Sequence, residues 1–155
     1  MNSRATSLRI TPAASSDAAG IAALLAAADL PHNDSGPELE DFLVVRDGAE
    51  VTTAVGLEIK RREALLRSLV VSSGQRNQGM GRALVREIAA LALHRGVNRL
   101  FLLTTMAAPF FERAGFVRLD RSEAPLAIAA SSQFQGLCPA SAVCLAARVG
   151  DVLAS

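Results

Sequence analysis

The stretch LVVSSGQRNQGMGR, Leu69 to Arg82, decides how the rest of the chain is read. An apolar run ends at Val71, a polar loop follows, and a helix-forming segment opens on Gly79 and Gly81. The first N–H groups of a helix lack intrahelical acceptors and carry partial positive charge, so a strand–loop–helix junction is a seat for phosphate. Glycine at 79 and 81 lets a ligand approach the backbone with no Cβ in the way. Arg76 and Arg82 add charge beside the same phosphates. Two common phosphate-binding patterns do not fit. The chain has no GxxxxGK followed by Ser or Thr, and Leu84 stands where a GxGxxG dinucleotide loop needs its third glycine. What remains is Arg76-x-x-Gly79-x-Gly81 directly after an apolar strand.

Downstream of this junction, residues 79–94 read as a helix with Leu84, Val85, Ile88, Leu91 and Ala92 on its inner face, stopped by Gly96. Residues 99–105 form a buried strand, 109–114 a short helix, 116–119 a strand, 123–130 a helix and 142–149 a last strand. Upstream, 8–11 form a first strand and Ser15, Ser16 and Asp17 offer caps for a helix over 17–29 with Ile21, Leu24, Leu25 and Ala28 at helical spacing. The Pro- and Gly-punctuated segment 30–38 is a loop. Strands follow at 41–46 and 52–59, joined at Asp47-Gly48. A charged turn at 60–63 leads to a third antiparallel strand over 65–71. That strand is almost wholly apolar, which predicts burial on both faces and helices on both sides of the sheet. The order is an antiparallel meander followed by a helix crossover to a strand parallel to its third member.

Composition excludes several functions. Half of the 155 residues are hydrophobic and a fifth are charged, so the chain is one folded domain rather than a disordered segment. Sixteen basic against fifteen acidic side chains leave no surplus for nucleic acid. The absence of Tyr excludes any mechanism that needs a phenol. The uncharged run 124–147 is broken by Pro125, Gly136 and Pro139 and does not read as a membrane span. The first residues, MNSRATSLRITP, hold no apolar block of the length a secretory leader needs. Cys138 and Cys144 make neither a disulfide scaffold nor a CxxC pair, so a cytoplasmic protein without a metal is expected.

The Arg76-x-x-Gly79-x-Gly81 loop resembles the signature of the GNAT (GCN5-related) N-acetyltransferases, [R/Q]-x-x-G-x-[G/A] after an apolar strand. APFFERAGF, Ala108 to Phe116, resembles the family's second hallmark, a short helix ending in a "YEKLGF"-like strand entry. The resemblance implies an α/β (α+β) GNAT fold: a mixed, mostly antiparallel sheet of about six to seven strands, helices on both faces, splayed at strands 4 and 5. On this chain that gives residues 8–150 as a single acetyltransferase domain, with 1–7 as a disordered N-terminus and 151–155 as a tail. It further implies acetyl-CoA as co-substrate. The backbone of Leu69, Val70 and Val71 would pair with the pantetheine arm, with an amide at Leu69 or Val70 facing the thioester carbonyl. Arg76, Asn77, Gln78, Gly79, Met80, Gly81 and Arg82 would hold the pyrophosphate.

In many family members the Tyr of the "YEKLGF" segment protonates the departing thiolate. Here Phe111 takes that position. Either the thiolate leaves unassisted, or a hydroxyl or water near Ser68, Thr104 or Thr105 serves. A non-catalytic CoA-binding or sensor module is the alternative this substitution raises. For the base, Glu58 ends an apolar strand at the expected cleft and could act through water, while His32 sits in the loop 30–38. Arg67 lies mid-strand, where an unpaired charge is costly. Alternation puts it on the face of Leu65 and Leu69, either as one half of a salt bridge or as a clamp for an anionic group on the acceptor.

LLRSLVV, LFLLTTMAAPFFERAGF and FQGLCPASAVC are similar to the arsenic-resistance-associated branch of the family, and the segment from Leu103 to Phe111 also resembles the acetyltransferase domain of N-acetylglutamate synthase. Both imply a small, amino-acid-like amine as acceptor. Arsenite capture by Cys138 and Cys144 finds little support in two thiols six residues apart. Family habit implies a homodimer paired through the last strands as the assembly to test.

Overall fold

The computed structural model describes residues 9–29, 39–71, 79–131, 134–135 and 141–155. Strands β1 (Ile10–Pro12), β2 (Phe42–Asp47), β3 (Glu50–Lys60), β4 (Glu63–Val71), β5 (Arg99–Thr104), β6 (Val117–Leu119) and β7 (Val143–Arg148) form one sheet in the order β1-β2-β3-β4-β5-β7-β6. Neighbours are antiparallel except β4 and β5, so the crossover after the meander does run parallel to its third strand. The helices are α1 (Ala18–Ala27), α2 (Met80–His94), α3 (Ala108–Arg113), α4 (Leu126–Ala129) and α5 (Val149–Ala154).

Two tight turns close the meander. Gly48 takes φ 66° between β2 and β3, as a two-residue hairpin requires. Between β3 and β4 the same conformation falls on Arg61, at φ 63°. The main core lies between one sheet face and α2, where Leu43, Val45, Val55, Leu57 and Leu66 meet Leu84, Val85, Ile88 and Ala92. Two smaller clusters cover the other face. Ile21 and Leu25 of α1 pack on Phe42, Val44, Ala54 and Val70, and Ile128 of α4 packs on Leu65, Phe101 and Ala146. β4 feeds all three, which is why its sequence shows no polar face.

The crossover ends where glycine allows it. Gly96, at φ 83°, donates to Leu93 O at 3.1 Å and Val97 N–H returns to Ala92 O at 2.9 Å, the paired bonds of a Schellman cap. Val97 is buried, which seats the start of β5.

Three expectations are corrected. Residues 151–155 are not a tail: Val149 and Val152 of α5 are buried, and Arg86 Nη1 and Nη2 donate to Ser155 O and Leu153 O at 3.3 Å. Gly115 makes room for this helix, since a Cβ there would stand 3.0 Å from Asp151 O. The helix over 123–130 is divided, because Pro125 drives Ala124 to an extended ψ of 144° and only Leu126–Ala129 is α-helical. The first strand begins at Ile10 rather than 8 and runs through Pro12. Residues 1–7 lie outside the described residues.

Candidate functional site

β4 and β5 pair only from Glu63–Arg99 to Leu65–Phe101, although β4 continues to Val71 and β5 to Thr104. Along the unpaired part, β4 carries a bulge. Val70 pairs with Ala54 and Arg67 with Gly56, so Ser68 and Leu69 together oppose Val55. Ser68 takes φ 62° to do this, a left-handed backbone that a residue with a Cβ adopts at a cost of about 1–2 kcal/mol. A bulge takes backbone groups out of the ladder and bends its strand. It also resets which side chains share a face. Leu69 packs against the main core with Leu66, and Val70 joins the α1 cluster. Leu69 therefore does not share Arg67's face, a correction that follows from the extra residue.

Glu58 and Arg67 meet on the face between the α1 and α4 clusters. Arg67 Nη1 donates to Glu58 Oε1 at 3.3 Å and its Nε donates to Ser68 Oγ at 3.2 Å. Lys60 Nζ stands 3.5 Å from Glu58 Oε2. The Arg67 side chain is 2% exposed and that of Glu58 10%. A lone buried charge costs several kcal/mol, so two buried groups of opposite sign are driven together. Of the two uses open to Arg67, the salt bridge is the contact present. The structure thus gathers Glu58, Arg67 and Ser68 into one cluster, nine residues of separation being closed by the β3–β4 register.

Gly79 caps α2 at φ 72°, and a Cβ on it would meet nothing within 4 Å among the described residues. Ala83 N–H makes the first helical bond to Gly79 O at 3.1 Å. The N–H groups of Met80, Gly81 and Arg82 precede it and have no intrahelical acceptor. A Cβ on Gly81 would lie 3.4 Å from Phe110 Cζ, an ordinary contact, so the start of α2 and the Phe110 ring are neighbours. Arg82 Nη2 reaches Ser155 Oγ at 3.4 Å, and its Nε is buried without a partner among the described residues. Arg76, Asn77, Gln78, His32 and Cys138 lie outside the described residues.

Leu69 and Val71 are half-buried and Val70 is buried. Thr104 Oγ1 accepts from Ala107 N–H at 3.0 Å and so caps the turn into α3. Phe111 is 5% exposed in the main core, edge-on to Phe116 with centroids 5.5 Å apart. The residue missed from sequence is Phe110, half-buried beside Gly81. Two adjacent aromatics on a one-turn helix had to face different surroundings, and that was the available signal. Cys144 is 2% exposed, and burial pushes its thiol up to about 11, so it holds no thiolate at neutral pH. Among the described residues, no three His, Cys, Asp or Glu side chains group so as to hold a metal ion, and no helix is long and apolar enough to cross a membrane.

Comparison with known proteins bears on the same region. The family model described as acetyltransferase (GNAT) domain matches residues 38–118, more than half of the chain. Over 62 residues the chain is 39% identical to an uncharacterized N-acetyltransferase of Chlorobaculum tepidum, covering 40% of this chain and 39% of that one. Over 100 residues it is 35% identical to the amino-acid acetyltransferase of Pseudomonas putida, covering 63% of this chain and 23% of that protein. The chain thus spans well under half the length of these curated relatives. In fold it is similar to N-acetylglutamate synthase from Neisseria gonorrhoeae, solved with coenzyme A and N-acetyl-glutamate, with a TM-score of 0.78, 22% identity, and 92% of this chain and 35% of that one covered. With residues 38–118 matched, and with a meander, a parallel crossover and parted strands arranged as that family requires, the chain belongs to the GNAT acetyltransferase family.

Proposed function

We propose that this domain is an acetyl-CoA-dependent N-acetyltransferase that moves an acetyl group to the amine of a small, amino-acid-like acceptor. The observation that carries the proposal is the parting of β4 from β5 after three residue pairs. A gap there lets an extended pantetheine chain pair with the upper half of β4 as a further strand would. The residues present fit such a ligand. The start of α2 offers a pyrophosphate N–H groups that have no intrahelical acceptor, and Gly79 sets no Cβ in its approach.

In the reaction, the acceptor's neutral amine attacks the thioester carbonyl, a new C–N bond forms, the C–S bond breaks, and the thiolate takes up a proton. A backbone N–H of the bulge faces the carbonyl oxygen as charge builds on it. Glu58 takes the proton from the ammonium through water. Phe111 has no proton to give, so water passes to the departing thiolate the proton that the attacking nitrogen sheds as it becomes an amide. The amino-acid acetyltransferase and N-acetylglutamate synthase relatives support an amino-acid-like acceptor. Similarity to the arsenic-resistance-associated branch adds amino-phosphinates and arsinates to the candidates.

The test is release of free thiol from acetyl-CoA by purified protein against a panel of amino acids, polyamines, amino-phosphinates and amino-arsinates. Turnover with an α-amino acid or its analogue is expected. Acetyl-CoA binding by calorimetry with no turnover on any member would overturn the enzyme in favour of a CoA-binding module.

A further inference from the structure

We infer that Arg67 is a positioning residue for the β4 bulge, acting through Ser68, and not a group that touches either substrate. Its consequence for catalysis rests on the proposed function above; its geometry does not. Ser68 at φ 62° is the residue that makes the bulge possible, and it is not glycine. Something must hold it there. Its hydroxyl accepts from Arg67 Nε at 3.2 Å, while the Nη1 of the same guanidinium is fixed on Glu58 Oε1 at 3.3 Å, one strand away. Lys60 steadies the second oxygen of that carboxylate at 3.5 Å.

One planar fork thus ties β3 to the deviant residue of β4. A lysine presents a single nitrogen and cannot make both bonds in these directions. Arg67 and Ser68 are 4% and 9% exposed, so water competes poorly for either bond. The same burial keeps the guanidinium from reaching out to an acceptor. Held this way, the backbone of Ser68 and Leu69 stays out of the β3 ladder before any ligand arrives.

Backbone amide resonances of Ser68, Leu69 and Val70 test the idea in Arg67→Lys, Ser68→Ala, Ser68→Gly and the Arg67→Lys/Ser68→Gly pair. Arg67→Lys keeps a cation beside Glu58, so the fold survives. It should shift the Leu69 and Val70 amides and weaken acetyl-CoA about tenfold, the value of one left-handed strain released. Ser68→Ala, which removes the acceptor and keeps the strain, should reproduce both effects. In the Ser68→Gly background, where no hold is needed, Arg67→Lys should move the amides little and affinity less than twofold. Equal effects in both backgrounds, or an effect confined to the KM of the amine, would overturn the inference. If none of these proteins bind acetyl-CoA, the functional reading fails, and the resonances still decide the role of Arg67.

Discussion

Glu58→Gln separates the chemistry of the site from its stability. The substitution keeps an oxygen where Arg67 Nη1 donates and removes the charge and the basic lone pair. Its cost in folding is substantial, because it leaves the buried Arg67 guanidinium without its counter-charge. Lys60 is 38% exposed, so its share is small. Removing one partner of a buried ion pair costs about 3–5 kcal/mol, which lowers Tm by roughly 6–20 °C in a domain of this size, so activity is measured well below that midpoint. Loss of a general base shows in rate, on the order of 100- to 10,000-fold. Thiol release under saturating acetyl-CoA should therefore fall by at least about a hundredfold in kcat, while calorimetry finds the affinity for acetyl-CoA within about twofold. The deficit should shrink at alkaline pH, where more of the acceptor arrives already deprotonated. A kcat within threefold of the parent protein across pH 6–9 would refute the assignment of Glu58 and leave it as the anchor of Arg67 alone.

Asp17 should make stability pH-dependent at the other end of the sheet. Hydrogen bonds from Arg46 Nε and Nη2, at 2.9 and 2.6 Å, foremost hold its carboxyl below its ordinary value, aided by Ala14 N–H at 2.7 Å. A depressed value means that the contribution is present above the unfolded carboxylate's pKa and fades as pH falls through the native one. With Arg46 31% exposed, Asp17→Asn should cost about 2 kcal/mol at pH 7 and little near pH 2. Denaturant unfolding at both pH values checks this; an unchanged gap contradicts it. Gly56→Ala would place a Cβ 2.8 Å from Phe42 Cζ and 3.0 Å from its Cε atoms, so the buried ring must shift at a cost of about 1–3 kcal/mol. Phe42→Leu should restore part of that loss in urea titration, and additive losses would refute the clash. Cys144, with its thiol pushed up to about 11, should stay unlabelled by iodoacetamide at pH 8 until the protein is denatured. Mass spectrometry of labelled peptides reads this directly, and rapid native labelling would contradict the buried placement.

What could be read in advance was whatever repeats or punctuates. The apolar faces of α2 and β4, the Asp47-Gly48 turn and the stop at Gly96 are signals carried by residue type within a few positions. The features that define the site are not of that kind. No glycine or asparagine marks the left-handed backbone at Ser68 or Arg61: side-chain contacts hold the first, and closure of the two-residue turn between β3 and β4 imposes the second. Pairing of Glu58 with Arg67 depends on register across a hairpin, which composition does not reveal. The bulge then inverted the side-chain alternation behind it, so the reading of Leu69 failed where that of Leu65 and Val70's strand succeeded. α5 was missed because six residues are too few to show a period, and its stability comes from Val152 and Arg86 rather than from propensity.

The bulge also answers why a strand so apolar carries Arg67-Ser68 at its middle. Regular pairing would send the Ser68 hydroxyl into the main core beside Leu66 and turn Leu69 away from it. An unsatisfied buried hydroxyl costs about 1–3 kcal/mol, and withdrawing a leucine costs as much again. Left-handed strain at one residue, about 1–2 kcal/mol, is the smaller penalty, and the bond from Arg67 Nε offsets part of it. Packing and the Arg67 bond therefore favour the bulge together, and the backbone groups it frees are available for chemistry at little net cost in stability. Deletion of Ser68 puts this to the test. Arg67 would still oppose Gly56, Leu69 would oppose Val55 and Val70 would oppose Ala54, so every apolar side chain keeps its face. The shortened protein should fold with a stability within about 1–2 kcal/mol of the parent, and yet lose acetyl transfer, because its fourth strand would be regular. An unfolded product would show that the strand needs the extra residue for its packing, and full activity would show that the bulge has no part in the reaction.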